Sequence, residues 1–416
     1  MIKSINKKLV VGLDIGTSKV VVVVGEILKD NIINIIGIGQ CTSKGVDKGV
    51  INDLKAVMKC IKKSINQAEI MANCKIHSVY LALSTQYICC HNEIGIIPIY
   101  DNEVTKEDIQ HAIHISQCVR IKNNHNILHI IPKEYSIDNQ KGIKNPIGLS
   151  GMRLQSNVHL ITCHHDIKKN IIKTVEKCGL YINKLIFSGL ASSKAVLTQE
   201  ECELGVCMID IGSGTMDITI YVNGVIEYSQ VIPYAGNIVT SDIAYALSTS
   251  HNTAETIKEK YGSETTKIIQ YNEEKKIDNP NNILKNTLKK DYLIKIIKLR
   301  YIELLKLVNY EIQTVQEYLY YQGIKTKLEG GIVLTGGGTQ IECIIDCAKK
   351  IFNLPVRIGY PNKINGIEKN HTSAYLSTAV GLLHYGKKYY IKNEKKIKEK
   401  KYIINLFKSI NNWLKK

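Results

Sequence analysis

Two stretches of the chain, half a length apart, carry the same succession of apolar runs and small-residue turns. In the first, strands are predicted from Lys8 to Leu13, Val20 to Val24 and Ile32 to Ile38. In the second, they run from Gly205 to Ile209, Ile218 to Val222 and Val225 to Ile232. Lys29-Asp30-Asn31 and Asn223-Gly224 mark the turn before each third strand. The turn before each second strand is more telling. Leu13-Asp14-Ile15-Gly16-Thr17-Ser18-Lys19-Val20 returns in altered form as Ile209-Asp210-Ile211-Gly212-Ser213-Gly214-Thr215-Met216-Asp217. The chain thus reads as two related halves, each opening on a strand meander.

Elsewhere the helical period takes over. A helix is expected from Asp53 to Met71, with Val57, Ile61 and Ile65 on one face, and a strand from Ser78 to Leu83 follows. Residues 84–155 interrupt this pattern with short strands, Ile94 to Ile99 and Ile127 to Ile131, around a helix. Thr105 caps that helix, with Glu107 and Asp108 in its first turn. The chain is expected to return to the first lobe with a strand from Asn157 to Thr162. Helix Lys168 to Cys178 and strand Tyr181 to Ser188 complete the half. Residues 241–322 read as polar and helical, with loops from Gly262 to Asn286 that include the turn cluster Asn279-Pro280-Asn281-Asn282. A long helix from Asp291 to Tyr321 carries Tyr301, Leu304, Leu305 and Val308 at core spacing. Strand Gly331 to Thr335 then enters the turn Gly336-Gly337-Gly338-Thr339, ahead of a helix from Gln340 to Phe352.

These turns have a chemical use. Small residues let backbone N–H groups close on phosphate oxygens, and Thr17, Ser18, Ser213 and Thr215 add hydroxyl donors. Asp14 and Asp210, at two strand ends facing across a cleft, suit Mg²⁺ held mostly through water. A strand, glycine turn and helix N-terminus at 331–352 form a further anion or nucleotide element. One such turn alone is ordinary punctuation; two in matching contexts, joined by a third, are not.

Taken together, the turns resemble the actin-like ATPase superfamily. Longer strings narrow the resemblance to the FtsA family of bacterial cell division: KLVVGLDIGTSK at 8–19, GIKNPIGLSG at 142–151, LIFSGLASS at 185–193, VIPYAGN at 231–237, TSDIAY at 240–245 and STAVGLLHYG at 377–386. The resemblance implies an α/β actin-like fold with two RNase H-like lobes around a nucleotide cleft. Subdomain 1A would span 1–84 and 156–198, an inserted α+β subdomain 1C 85–155, subdomain 2A 199–240 and 323–385, and subdomain 2B 241–322. A basic linker (386–401) and a membrane-targeting amphipathic helix (402–416) would follow. The resemblance further implies ATP with Mg²⁺. Gly12, Asp14, Gly16, Thr17, Ser18, Gly212, Ser213, Gly214 and Thr215 would form the phosphate turns. Asp14, Asp210 and Asp217 would lie near the metal. The adenosine would rest between Gly336, Gly337, Gly338 and a helix bearing Glu255 and Lys258, two residues that read equally as a solvated helix face. Lys19 either reaches a phosphate or only opens the second strand. Implied partners are the C-terminal peptide of FtsZ, met by Arg300 and Tyr301, further copies of the chain in a protofilament, later division proteins and anionic inner-membrane lipid. The implied location is the cytoplasmic face of that membrane at the septum.

Turnover is expected to be slow. Related hydrolases place Glu or Gln on the helix after the first lobe's last strand, to orient the attacking water. Here Gly189 to Lys194 offers neither, and Gln199 and Glu200 come about two turns later.

Composition modifies the picture modestly. The 416 residues suffice for two lobes, and the N-terminus lacks the apolar core of a secretory signal. Twelve cysteines include no CxxC pair, which favours reduced thiols over disulfides or zinc. The formal charge of +17 invites nucleic acid as a ligand, but its distribution argues against that. Residues 386–416 hold eleven Lys against two Glu, about half the excess. Beyond this basic linker, Ile403, Leu406, Phe407, Ile410, Trp413 and Leu414 form a helical stripe with Lys on the opposite face, the pattern of an interfacial membrane helix. The competing readings are a small-molecule kinase, a chaperone ATPase and a pilus-assembly relative on the same fold.

Overall fold

The structure is a computed structural model and describes residues 8–30, 32–119, 121–262, 290–324, 327–341, 343–366 and 374–392. The expected turn cluster at Asn279 to Asn282 and the tail stripe Ile403 to Leu414 lie outside the described residues.

The first half opens with an antiparallel meander, β1 (Leu9–Ile15), β2 (Lys19–Ile27) and β3 (Ile33–Thr42), then a small ribbon, β4 (Val46–Asp47) and β5 (Val50–Ile51). Val20 to Val24 are each 3% exposed or less, because both faces of this central strand are covered. Helix α1 (Leu54–Ala72) starts at Asp53, whose side chain accepts from Ala56 N at 3.0 Å. It crosses to β6 (Ser78–Leu83), which pairs parallel with β1.

An insertion follows: β7 (Ile88–Pro98), α2 (Lys106–Gln117), β8 (His125–Ile137), β9 (Gln140–Ile143) and β10 (Arg153–His164). Thr105 and Asp108 close a full capping box on α2. The four strands form their own sheet, ordered β7-β10-β8-β9, over a small core that includes Ile97, Ala112, Tyr135 and Leu154. The strand expected at Asn157 to Thr162 lies within β10. It pairs with β7 and β8 in this inserted sheet and not with the first lobe's sheet.

Helix α3 (His165–Glu176), β11 (Tyr181–Phe187), α4 (Ser188–Val196) and α5 (Gln199–Leu204) close the half. The second half repeats it with β12 (Val206–Ile211), β13 (Met216–Val222), β14 (Val225–Ile232), α6 (Gly236–Ala246), α7 (His251–Gly262), α8 (Lys290–Tyr321), β15 (Ile332–Thr335), α9 (Ile344–Phe352) and β16 (Val356–Ile358). β17 (Ile364–Asn365) returns to pair with β3. The sheet orders are β11-β6-β1-β2-β3-β17 and β14-β13-β12-β15-β16. In both, a three-stranded meander is extended from its first strand by two parallel strands.

The helix expected from Gln340 starts only at Ile344, after a 3₁₀ turn at Gly337–Gln340. Residues 377–392 are helical, so the basic segment expected as a solvated linker from residue 386 begins as packed helix. A shared apolar cluster joins the two sheets through α4 and this last helix, with Val21, Val23, Ala195, Met208, Val333, Val380 and Leu383 among its members. No helix among the described residues is long and apolar enough to cross a membrane.

Candidate functional site

The two glycine turns adopt one geometry. Gly16 N donates to Lys19 O and Gly212 N to Thr215 O, each at 2.9 Å. Ile15 pairs with Val20 and Ile211 with Met216 across them. The turns also meet, since a Cβ on Gly214 would lie 2.4 Å from Thr17 Oγ1. They line a cleft of about 920 Å³, within the range of a nucleotide-sized ligand pocket. Gly16, Thr17, Ser18, Lys19, Gly212, Ser213, Gly214 and Thr215 all line it, with Asp14, Asp210 and Asp217. Gly12 does not. It is buried mid-strand where a Cβ would lie 2.6 Å from Ala379 O, so its smallness serves packing against the last helix. Lys19 both opens β2 and lines the cleft, its Nζ 4.5 Å from the Tyr375 ring centroid.

Three carboxyl groups converge at the base. Asp210 and Asp217 are directly opposite on β12 and β13, a pairing that like charges disfavour. Burial, and then the neighbouring Asp210, push Asp14 up to about 7. Burial also raises Asp210, against hydrogen bonds from Ser192 and Thr378. Asp217 is raised well above the usual carboxylate range by burial and by Asp210, against a hydrogen bond from Ser84. Thr378 Oγ1 donates to Asp210 at 3.1 Å, and Ser192 donates to it as well. Ser84 donates to Asp217 and lies 3.0 Å from Thr215 Oγ1. Such a set asks for a cation. Among the described residues no three acidic, Cys or His side chains converge closely enough to ligate one ion directly. The donors therefore fit a hydrated divalent ion, held through water.

The raised Asp14 predicts a pH effect on the ligand-free protein. Its folded form holds a proton that the unfolded chain loses near pH 4. The stability this gives is present in acid and is lost as pH rises through 7. Between pH 6 and 8 the loss is about 1.4 kcal/mol. Buried neutral His129 and His159, each pushed down to about 3 by burial, act oppositely and destabilise below their unfolded value near 6.5. Urea unfolding of the parent against Asp14→Asn isolates the carboxyl. The two curves should converge toward acid and separate by about 1.4 kcal/mol from pH 6 to 8, in favour of the variant. A pH-independent difference contradicts the assignment.

At the cleft's far end, Lys258 Nζ donates to Gly236 O at 3.2 Å, Thr240 Oγ1 at 2.9 Å and Glu255 Oε2 at 2.8 Å. Lys258 is buried and pins α7 to the first turn of α6, while Glu255 keeps 30% of its side chain exposed. Both line the cleft, as do Gly336, Gly337 and Gly338. Tyr301 is a correction. It is 1% exposed in the second lobe's core and floors the cleft, so no partner peptide can reach it from outside. Arg300, next to it, forms a fork with Asp242 at 2.6 and 3.0 Å and pairs with Glu303 at 2.7 Å. The motif reading missed Ser84, Ser192, Thr378, Gly236, Asn237 and Tyr375. Asn237 N donates to Ser213 O at 2.7 Å, and Ser213 donates to the Asn237 side chain. Four of these six sit in strings quoted for family likeness, and none carries a charge to draw the eye.

The model for "Cell division protein FtsA" matches residues 207–381, and that for "SHS2 domain inserted in FTSA" matches 85–162. The cell division protein FtsA of Buchnera aphidicola (subsp. Acyrthosiphon pisum, strain APS) is 58% identical over 416 residues, covering all of both chains. That of Escherichia coli K12 is 51% identical over 419, again covering all of both. The chain belongs to the FtsA family of cell-division proteins. Solved structures agree on the fold. A chain of the PilM–PilN type IV pilus biogenesis complex matches with a TM-score of 0.65 at 14% identity, over 91% of this chain and 98% of its own. MreB5 of Spiroplasma citri bound to AMPPNP matches with 0.54 at 17% identity, over 93% and 98%. The FtsA fold is thus an actin-like one carrying the inserted sheet described above.

Proposed function

We propose that this FtsA-family chain binds ATP with Mg²⁺ between its paired turns, assembles with further copies of itself, and ties FtsZ filaments to the inner face of the cytoplasmic membrane while later division proteins are recruited. The observation that carries the reading is the meeting of two identically built turns above three carboxyl groups, Asp210 and Asp217 buried and Asp14 half-buried. Backbone N–H groups of Thr17, Ser18, Ser213 and Gly214, held by the closing bonds from Gly16 N and Gly212 N, would take the phosphates. Asp14, Asp210 and Asp217 would hold the hydrated ion, whose charge supplies the compensation their burial lacks. Glu255 Oε1, the oxygen not engaged by Lys258, would meet the ribose. Arg300 is the cation an acidic FtsZ peptide would meet, by exchange with Asp242 and Glu303. Residues 402–416 would insert in the interface, aided by the basic segment before them.

Turnover is expected below about 1 per second, since α4 carries Ser, Gly, Ala, Leu, Lys and Val but no carboxylate or amide to orient or deprotonate the attacking water. ATP then acts by fixing the lobes. The test combines equilibrium ATP binding, with and without Mg²⁺, and the emission of Trp413 on anionic vesicles. Mg²⁺-dependent binding and a blue shift that strengthens with ATP support the adaptor. Mg²⁺-independent binding, or phosphoryl transfer to a small molecule, defeats it.

A further inference from the structure

Four separate elements bring lysines together where the last described helix leaves the body. Lys184 comes from β11, Lys194 from α4, Lys363 from the loop before β17, and Lys387, Lys388 and Lys392 from residues 377–392. The geometry holding them is explicit. Asn362 N donates to Ala195 O at 2.9 Å, and His384 Nε2 lies 3.2 Å from Asn362 O, so α4, the loop and the last helix are clamped. Lys184 donates to Tyr389 and lies over its ring at 4.5 Å, while Tyr389 stacks on Tyr80 with centroids 6.3 Å apart. Lys8 lies 5.0 Å over Tyr390. These contacts fix residues 387–392 against the body.

The cluster is self-repulsive. Lys184 is held below the usual lysine range by burial and then by Lys388 and Lys392, Lys194 by burial, Lys388 and Lys363, and Lys387 by burial, Lys194 and Lys363. A nearby carboxylate, Glu200, is bound chiefly by its own backbone and Thr198, with a lesser pull from Lys363. Folding has gathered like charges that a core does not require, and Lys194, Lys363, Lys388 and Lys392 all face solvent.

We propose that this lysine platform on the folded body is a second membrane contact, a flat seat for anionic phospholipid headgroups, distinct from the tail helix. The proposal rests on the adaptor reading for its orientation. The body's charge lies where residues 393–416 continue, so linker and platform meet the same surface. It also gives the body a fixed stance. Thr378, at the other end of the same helix, touches Asp210, and Ser192 on the Lys194-bearing α4 does too. The helix rises about 21 Å from Thr378 to Lys392, and Lys194 lies only two residues from Ser192, so the platform lies within about that distance of the cleft's carboxyl groups. A bilayer is favoured over an acidic peptide because the lysines spread over four elements instead of following one helix or strand.

The experiment uses the full chain. One variant carries Lys194→Gln, Lys363→Gln, Lys388→Gln and Lys392→Gln. A control carries Lys55→Gln, Lys59→Gln, Lys62→Gln and Lys63→Gln, the same charge change on exposed positions of α1. Binding is measured by co-sedimentation with phosphatidylcholine vesicles, with and without phosphatidylglycerol, at low and high salt, and Trp413 emission is recorded at saturation. Roughly fivefold loss per lysine is expected from the platform set on anionic vesicles, on the order of 100-fold or more in all, with a shallower salt dependence. The control should lose far less. Relief of repulsion should leave the platform variant's Tm equal to the parent's or higher. Parental binding by the platform set overturns the inference, as does equal loss in both sets. Trp413 reports separately on the tail: an unshifted emission defeats tail insertion, while the comparison of the two lysine sets still decides the platform.

Discussion

Gly336→Ala is expected to cost on the order of 3–5 kcal/mol and to weaken nucleotide binding by more than about 100-fold, whereas Gly337→Ala costs about 0.5 kcal/mol or less. The two substitutions look alike in sequence and differ in geometry. Gly336 sits at φ 89 and ψ 171, a conformation essentially reserved for glycine. A Cβ there would lie 2.2 Å from Asp210 Oδ1 and 2.6 Å from Ile211 O. The methyl group therefore strains the backbone and strikes the carboxylate that Ser192 and Thr378 orient. At Gly337 the nearest heavy atom to a new Cβ is Tyr375 Cβ at 3.8 Å, an ordinary contact. Gly338 is tight again, with Ile211 Cγ2 at 2.5 Å. Urea unfolding and ATP titration of the two variants check this. Equal tolerance at 336 and 337 would show that the turn relaxes and that Asp210 is not held as described.

How much of this was legible beforehand follows from where the information is local. The duplicated turns could be read because each is a few contiguous residues with a fixed backbone demand. Ser78 to Leu83 and α1 could be read because one face of each is apolar at the right period. The inserted strands were read too short for a physical reason. Ile94 to Ile99 covers the apolar end of β7, which begins at Ile88, runs through His91, Asn92 and Glu93 and stops at Pro98. Ile127 to Ile131 is likewise the apolar part of β8, which continues through Pro132, Lys133 and Glu134. Pro132 is accommodated at a register shift against β10. Those polar residues looked like strand ends, yet Asn92 and Lys133 face a partner supplied by β14, far along the chain. Tyr301 failed in the opposite direction. Its spacing with Leu304, Leu305 and Val308 pointed to the core, family likeness pointed to a partner surface, and burial followed the spacing.

Lys133→Met should destabilise the protein by about 3–5 kcal/mol, and adding Glu227→Leu should recover most of that loss. Lys133 on β8 and Glu227 on β14 pair with side chains only 9% and 5% exposed. The pair is the centre of a polar seam that docks the inserted sheet on the second lobe. Asn92 Nδ2 donates to Glu227 O at 3.0 Å, which turns Asn92 Oδ1 toward His159 Nδ1 at 2.7 Å. His159 is neutral, so Nδ1 carries its proton and Nε2 accepts from Ser229 at 2.9 Å. Removing Lys133 leaves Glu227 buried without the cation that offsets its burial, which already raises its carboxyl. The single variant should therefore lose less stability at pH 5 than at pH 8, since acid favours the neutral form of this raised carboxyl. A double-mutant cycle by urea unfolding at both pH values reads the coupling directly. A coupling below about 1 kcal/mol would mean water reaches the seam and the insertion rocks free of the second lobe. A larger value would mean that any movement of β14, which leads into Gly236, whose N–H donates to Gly212 O of the second phosphate turn at 3.2 Å, carries the inserted sheet with it.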